Sequence, residues 1–124
     1  LEALSKMPAL RRIATLGDML ELGKYTPEAH RMIGKRAAEV ADVVIGVGVR
    51  SKFMDTGDAA EFHWFAKSGE AADFLGHFVK EGDAILVKGS QGVRMERVTK
   101  ALLLHSEDSH RVLVRQEDYW QKRP

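Results

Sequence analysis

The residues with the most evident chemistry form one short segment, Lys88-Gly-Ser-Gln-Gly-Val-Arg94. The segment follows a short apolar run, Ala84 to Val87, that predicts a buried strand, and a helical pattern starts directly after it. Strand-to-helix turns that carry glycine bind anions in α/β proteins, because backbone N–H groups can approach the ligand closely. The segment therefore predicts an anion site, with a plain connecting turn as the alternative. Its polar side chains are two cations, a hydroxyl and an amide: Lys88, Arg94, Ser90 and Gln91.

Two further candidates precede this segment in the chain. Asp18 follows the glycine that closes the first predicted strand, where a carboxylate can accept a hydrogen bond from a ribose hydroxyl. The alternative for Asp18 is capping of the short turn that follows it. His30 lies in the first turn of a predicted helix, near the same edge of the sheet, and the alternative for it is a surface or packing histidine.

The residue spacing gives little support to a dinucleotide-binding fingerprint, a P-loop, a metal site or a catalytic triad. Gly46-Val-Gly48 resembles the start of a dinucleotide-binding fingerprint, but Ser51 stands where the third glycine belongs. Neither glycine-bearing turn continues into the Gly-Lys-Ser or Gly-Lys-Thr of a phosphate-binding P-loop. The histidines lack metal-ligand spacing, and no Ser-His-Asp set can be assembled. We therefore expect no metal site and assign no catalytic residue within the chain.

The candidate residues fall into an alternating series of predicted strands and helices. Such alternation predicts an α/β fold, with a mostly parallel sheet covered by helices on both faces. In these sheets ligands bind beyond the carboxyl ends of the strands, which is where the polar and glycine residues gather. The predicted strands are Arg11–Gly17, Asp42–Gly48, Glu61–Phe65 and Ala84–Lys88, with an additional strand at Arg111–Arg115; the predicted helices are Glu28–Ala41 after a Thr26 cap, Arg50–Ala60 with an interruption near Gly57, Gly69–Lys80 after a Ser68 cap, and Gly92–Leu104.

Composition limits the class of protein. The chain has 124 residues, which fits one domain, and 30% of them are charged, as in ordinary globular proteins. A formal net charge of +1 argues against binding nucleic acid through bulk electrostatics. Cysteine is absent, which fits a reducing compartment, and no apolar run is long enough to span a membrane. We expect a cytoplasmic protein with no nucleic-acid partner and no membrane span.

Two motifs together carry a family resemblance: Gly17-Asp-Met-Leu-Glu-Leu-Gly23 followed by His30 and Gly34, and Val87-Lys-Gly-Ser-Gln-Gly-Val-Arg-Met-Glu-Arg97. In order and spacing they resemble the C-terminal domain of the Mur ligases, in the form that adds D-alanyl-D-alanine. The resemblance covers about residues 11–104 and implies a Rossmann-like three-layer domain. It also implies that residues 1–10 are the remnant of an interdomain helix or linker and that 11–124 form the substrate-binding domain.

The resemblance implies an activity for the longer enzyme. Such a ligase uses ATP and Mg²⁺, bound mainly by a central domain outside this chain, to activate the carboxylate of UDP-N-acetylmuramoyl-tripeptide as an acyl phosphate. The amine of D-alanyl-D-alanine then attacks, in a step of peptidoglycan precursor synthesis. The partners implied are these substrates and the enzyme's own N-terminal and central domains. A monomer is expected, and the fragment alone is expected to be inactive.

The resemblance also implies roles for individual residues. Asp18 would reach the ATP ribose when the domains close, and Lys88, Ser90, Gln91 and Arg94 would face the dipeptide and the reacting phosphate, with His30 as a weaker candidate. Gln91 departs from the family, which commonly has arginine there, so a charge is lost.

Three alternative functions remain. The first is a ligase for a different amino acid, although the Asp-Asn-Pro-Arg signature of the diaminopimelate-adding enzyme is absent. The others are a stand-alone nucleotide-binding, anion-binding or regulatory module, and an interaction domain without a ligand.

Overall fold

The protein is represented by a computed structural model, which describes residues 2–18, 26–89, 95–103 and 111–116. These residues form a five-stranded sheet in the order β3-β2-β1-β4-β5, in which every strand pairing is parallel. The strands are β1 (Arg11–Gly17), β2 (Val43–Val47), β3 (Glu61–Phe65), β4 (Asp83–Gly89) and β5 (Arg111–Gln116). The helices are α1 (Glu2–Ser5), α2 (Pro27–Val40), α3 (Ser68–Phe78) and α4 (Glu96–Leu103), and Ser51–Met54 form a 3-10 helix.

Helices cover both faces of the sheet. The neighbouring β1 residues Ile13 and Ala14 belong to opposite apolar clusters, because successive side chains of a strand point to opposite faces. One cluster is completed by α3 and α4, and the other by α1, α2 and the 3-10 helix. This arrangement confirms the predicted three-layer α/β fold. The helical side chains buried in the two clusters are Ala71, Leu75 and Val98 on one face and Leu4, Ala37 and Met54 on the other.

The segment after β2 differs from its prediction. A helix was expected over Arg50–Ala60, but the helical part is the single 3-10 turn Ser51–Met54. Gly57 has a left-handed backbone with φ of 61°, and its N–H donates to Asp55 Oδ1 over 3.0 Å. This local turn competes with helical hydrogen bonding and ends the element early.

Of the two predicted helix caps, the structure confirms one and contradicts the other. Thr26 caps α2 as predicted, since its Oγ1 accepts a hydrogen bond from the Ala29 N–H over 3.0 Å. The predicted Ser68 cap of α3 is wrong, because Ser68 is already helical and Lys67 occupies the cap position. Glu70 determines this start: its Oε1 accepts from the Lys67 N–H over 3.2 Å. The last helix begins at Glu96 within the described residues, and its predicted first turn at 92–94 lies outside them.

An ion pair joins β1 to β4 at the amino ends of the strands, opposite the predicted ligand edge. Arg11 and Asp83 are register partners, and the guanidinium donates through Nε over 3.0 Å and through Nη2 over 2.6 Å to the two carboxylate oxygens. Arg11 also donates to the Phe78 carbonyl and lies 4.3 Å from the centre of the Phe78 ring. The hydrogen bond and the charge of Asp83 raise the pKa of the Arg11 guanidinium above its ordinary value, against an opposing effect of burial. The Arg11 guanidinium therefore stays protonated in this ion pair.

Removing this carboxylate should destabilise the fold. We expect Asp83→Ala to lower the free energy of unfolding by about 2 kcal/mol, because Asp83 is buried and also accepts from the Lys80 N–H over 2.8 Å. Urea denaturation of the purified chain would measure the change. Glu81→Ala, an exposed acid in the same turn, is the matched control and should stay within about 0.5 kcal/mol. Equal stability of the two variants would contradict this role for the ion pair.

Among the residues described, none of the helices combines the length and the apolar character needed to cross a bilayer.

Candidate functional site

The described ends of the two sequence motifs, Gly17-Asp18 and Val87-Lys-Gly89, meet at the carboxyl edge of the sheet. The strand β1 lies between β2 and β4, with Gly17 opposite Val47 on one side and Leu16 opposite Lys88 on the other. The carboxyl ends of these strands therefore lie side by side. Asp18 comes after β1, and Lys88-Gly89 ends β4, so the sheet register places the described start of the first motif next to the described start of the second.

Gly17 and Gly89 allow these strand ends to approach closely. A Cβ atom added to Gly89 would lie 3.1 Å from Gly17 Cα and 2.7 Å from Met95 Cγ. A side chain at position 89 would therefore press on the backbone of β1 and on the buried Met95. Gly89 is therefore needed here for strand packing, independently of any ligand.

Asp18 links the end of β1 to the segment that follows β2. Its side chain is nearly buried, and its Oδ1 accepts two hydrogen bonds, from the Arg50 N–H over 3.1 Å and from Ser51 Oγ over 2.8 Å. The other carboxylate oxygen, Oδ2, lies 3.8 Å from Arg50 Nη1. The carboxylate thus binds the first turn of the 3-10 helix, a contact that neither interpretation of Asp18 from sequence included. Its predicted contact with ribose stays a prediction.

Gly48 provides the space for this carboxylate. The glycine has φ of 115°, in the region that side chains rarely adopt, and an added Cβ would lie 2.5 Å from Asp18 Oδ1. Its backbone is fixed by three hydrogen bonds: the N–H donates to the Phe65 carbonyl over 2.8 Å, and the carbonyl accepts from Trp64 Nε1 over 2.7 Å and from the Ser51 N–H over 3.2 Å. This turn is therefore held in place by β3 and by the 3-10 helix.

Arg50 and Ser51 are the residues at this edge that sequence reasoning missed. Ser51 was noted only as the residue that replaces a third glycine, and Arg50 only as the start of a predicted helix at a strand end, with no site role for either. The available signal was their position, since the turn Gly48-Val-Arg50 closes the strand adjacent to β1. The Arg50 side chain is 53% exposed, so it adds positive charge to the same edge as Lys88.

The structure describes two of the other predicted site residues and leaves three outside the described ranges. Lys88 is half-buried at the end of β4. Ser90, Gln91 and Arg94 lie outside the described residues, so their roles stay predictions. His30 is fully buried in the first turn of α2, with Nδ1 2.8 Å from the Thr26 carbonyl. Because a carbonyl can only accept, Nδ1 carries the hydrogen, and a neutral His30 has its lone pair on Nε2. The ligand role of His30 also stays a prediction.

In the described part of the chain, no group of three or more His, Asp or Glu side chains is placed to hold a metal ion. The chemistry of the edge is instead that of hydrogen bonding and charge. One carboxylate, Asp18, can accept from hydroxyl groups, and two cations, Lys88 and Arg50, can pair with anions.

The parallel sheet with helices on both faces and a polar carboxyl edge defines an α/β domain of the Rossmann-like class. Residues 1–91 match the family model described as "Mur ligase, glutamate ligase domain". The chain belongs to this family.

Several relatives are similar over most of the chain. A UDP-N-acetylmuramoyl-tripeptide–D-alanyl-D-alanine ligase of Escherichia coli (strain K12) is 35% identical over 104 residues, which are 82% of this chain and 23% of that protein. The enzyme of the same name from Buchnera aphidicola is 31% identical over 113 residues, 86% of this chain and 24% of that protein. The chain thus spans about a quarter of the length of these relatives.

A solved structure has the same fold. The MurF ligase from Thermotoga maritima, in complex with ADP, superposes with a TM-score of 0.68 at 29% sequence identity. The match covers 86% of this chain and 24% of that structure. It supports the three-layer architecture and shows that a relative of this domain belongs to a nucleotide-binding enzyme.

Proposed function

We propose that this chain is the C-terminal domain of an ATP-dependent ligase that adds D-alanyl-D-alanine to UDP-N-acetylmuramoyl-tripeptide. The observation that carries the proposal is the meeting of Gly17-Asp18 and Lys88-Gly89 at one sheet edge, in a chain with 35% identity to a ligase of that name. Peptidoglycan precursor synthesis in the cytoplasm follows as part of the proposal, because the reaction consumes ATP.

In the proposed ligase this edge closes over the nucleotide. The Asp18 carboxylate would accept from a ribose hydroxyl of ATP, since a fixed carboxylate is a strong acceptor. This fits the structure, in which the Asp18 side chain keeps 9% of its surface exposed and Oδ2 is not taken up by the two donors that bind Oδ1. Mg²⁺ and most ATP contacts would come from the central domain, outside this chain.

The second motif would bind the incoming dipeptide. Lys88, Ser90, Gln91 and Arg94 are assigned to the dipeptide carboxylate and to the charge on the transferred phosphoryl group, because cations and donors placed at developing charge stabilise a transition state. His30 would contribute from the first turn of α2. Gln91 keeps hydrogen bonding without a charge, so the two cations of the motif would carry more of the anion recognition.

We also propose that residues 1–10 are the end of an interdomain linker and that 11–124 form the domain itself. This linker end packs on the domain. Leu4 is fully buried beneath the sheet, and the Arg12 guanidinium donates to the Leu4 carbonyl over 3.1 Å and to the Met7 carbonyl over 2.7 Å. The linker end would therefore move together with the domain when the ligase closes. A monomer that assembles the active site from its own three domains is proposed for the whole enzyme.

The proposed function is tested by comparing the ligase activity of the full-length gene product with that of this chain alone. The full-length gene product should release phosphate from ATP only when both UDP-N-acetylmuramoyl-tripeptide and D-alanyl-D-alanine are present, with the expected product mass. The 124-residue chain alone should give no product, because the central domain supplies most contacts to ATP. Single amino acids such as diaminopimelate or D-glutamate serve as control substrates. A full-length protein that prefers one of them would overturn the assignment to the dipeptide, and product formation by the chain alone would overturn the division between domains.

A further inference from the structure

The two oxygens of the Asp18 carboxylate have different surroundings. Oδ1 accepts from the Arg50 N–H and from Ser51 Oγ, at 3.1 and 2.8 Å. In the part of the chain that the structure describes, the contact recorded for Oδ2 is the 3.8 Å ion pair with Arg50 Nη1, which is longer than a hydrogen bond. Oδ2 is therefore the oxygen with capacity to accept from a ligand.

Ser51 is the side chain that creates this difference. Its hydroxyl lies 2.8 Å from two acceptors, Asp18 Oδ1 and the Val47 carbonyl, but it has a single hydrogen to donate. An ionised carboxylate is the stronger acceptor of the two, because the bond is charge-assisted. Ser51 is fully buried, so water does not compete for that hydrogen. Together with the Arg50 N–H, the hydroxyl thus fixes which carboxylate oxygen is turned inward.

Gly48 confines the carboxylate from the other side. The whole carboxyl group packs on its α-carbon: an added Cβ would lie 2.5 Å from Oδ1, 2.6 Å from the carboxyl carbon and 2.9 Å from Oδ2. Any side chain at position 48 would displace the group from its present orientation. The residue therefore acts as a steric guide for Asp18.

We propose that Ser51 and Gly48 are positioning residues of the nucleotide site, which orient the Asp18 carboxylate so that Oδ2 accepts from the ribose hydroxyls of ATP. This inference rests on the proposed function, because it takes the ligand of Asp18 from it. Neither positioning residue touches the nucleotide; both act through Asp18. Sequence motifs alone do not suggest this role, since Ser51 lies in the segment after β2.

The test uses steady-state kinetics of the full-length ligase. Ser51→Ala should raise KM for ATP about fivefold, the effect of losing one ordinary hydrogen bond, and leave KM for D-alanyl-D-alanine within about twofold. Ser68→Ala is the matched control, because Ser68 is also a buried serine but lies at the start of α3. It should leave both KM values unchanged. Gly48→Ala should raise KM for ATP at least as much as Ser51→Ala.

A double-mutant cycle separates positioning from a general structural effect. In an Asp18→Asn background the ribose acceptor is already lost, so adding Ser51→Ala should change KM for ATP by less than about twofold. Three results with an active wild-type enzyme would overturn the positioning role alone. The Ser51→Ala variant could keep the wild-type KM for ATP, or it could raise KM for ATP and for D-alanyl-D-alanine equally. It could also raise KM for ATP as much in the Asp18→Asn background as in the wild type. A wild-type protein without ATP-dependent ligation would overturn the proposed function, and this inference with it.

Discussion

Gly34→Ala should lower the free energy of unfolding by about 3 kcal/mol, although alanine is the better helix former. The helix α2 packs at this glycine directly on the backbone of the 3-10 helix: an added Cβ would lie 2.2 Å from the Met54 carbonyl oxygen and 2.7 Å from its carbon. A backbone carbonyl cannot rotate away as a flexible side chain can, so the two elements must separate. The gain in helix propensity, about 1 kcal/mol, is too small to offset this.

Gly69→Ala is the matched control for this variant. Gly69 is also helical, in the first turn of α3, but among the described residues no atom outside its chain neighbours and its own helix backbone lies within 4 Å of its added Cβ. That change should be neutral or stabilising by about 0.5 kcal/mol. Thermal unfolding of the purified chains would show Gly34→Ala melting roughly 10 °C lower than the wild type. If both alanine variants melted together, the close contact between α2 and the 3-10 helix would not exist in solution.

Asp18→Asn should raise KM for ATP of the full-length ligase by about 10- to 100-fold, because a hydrogen bond to a charged acceptor is lost. The substitution keeps the shape of the side chain and one acceptor oxygen, so the bonds from the Arg50 N–H and Ser51 can persist. Its amide nitrogen, in the place of Oδ2, cannot accept from a hydroxyl. The dipeptide KM should stay within about twofold.

The control for this prediction is Asp55→Asn, an exposed acid that follows the 3-10 helix and contacts its own turn. It should leave both KM values as in the wild type. Unchanged KM for ATP in Asp18→Asn would remove Asp18 from the nucleotide site, whereas a selective rise in the dipeptide KM would place Asp18 in the other half of the site.

The architecture could be predicted from the sequence because its signals are local. The apolar runs of β1 and β2, the Thr26-Pro27 start of α2 and the glycines that close the strands each lie within a few residues, and the structure has them where expected. The start of α3 was misplaced by one residue, because Ser68 was predicted as the cap, whereas the Glu70 side chain accepts from the Lys67 N–H and the helix begins one residue earlier.

The contact between Asp18 and Ser51 could not be predicted in this way. The two residues are 33 positions apart, and they meet only because β1 and β2 pair in the register that sets Gly17 opposite Val47. A pattern within one segment has no information about such a register. The left-handed φ of Gly48, which makes room for the carboxylate, is likewise a property of the packed turn.

The strand order has one more consequence. From β1 the chain passes through α2 on one face of the sheet and proceeds outward to β2 and then β3. From β4, on the other side of β1, the chain passes through α4 on the opposite face to reach β5. The connections that leave β1 and β4 therefore diverge, which makes their boundary a topological switch point. The location of the proposed ligand edge is thus set by the winding of the chain. In the proposed ligase, the glutamine at position 91 would alter how strongly this edge holds an anion, but it would not move the edge.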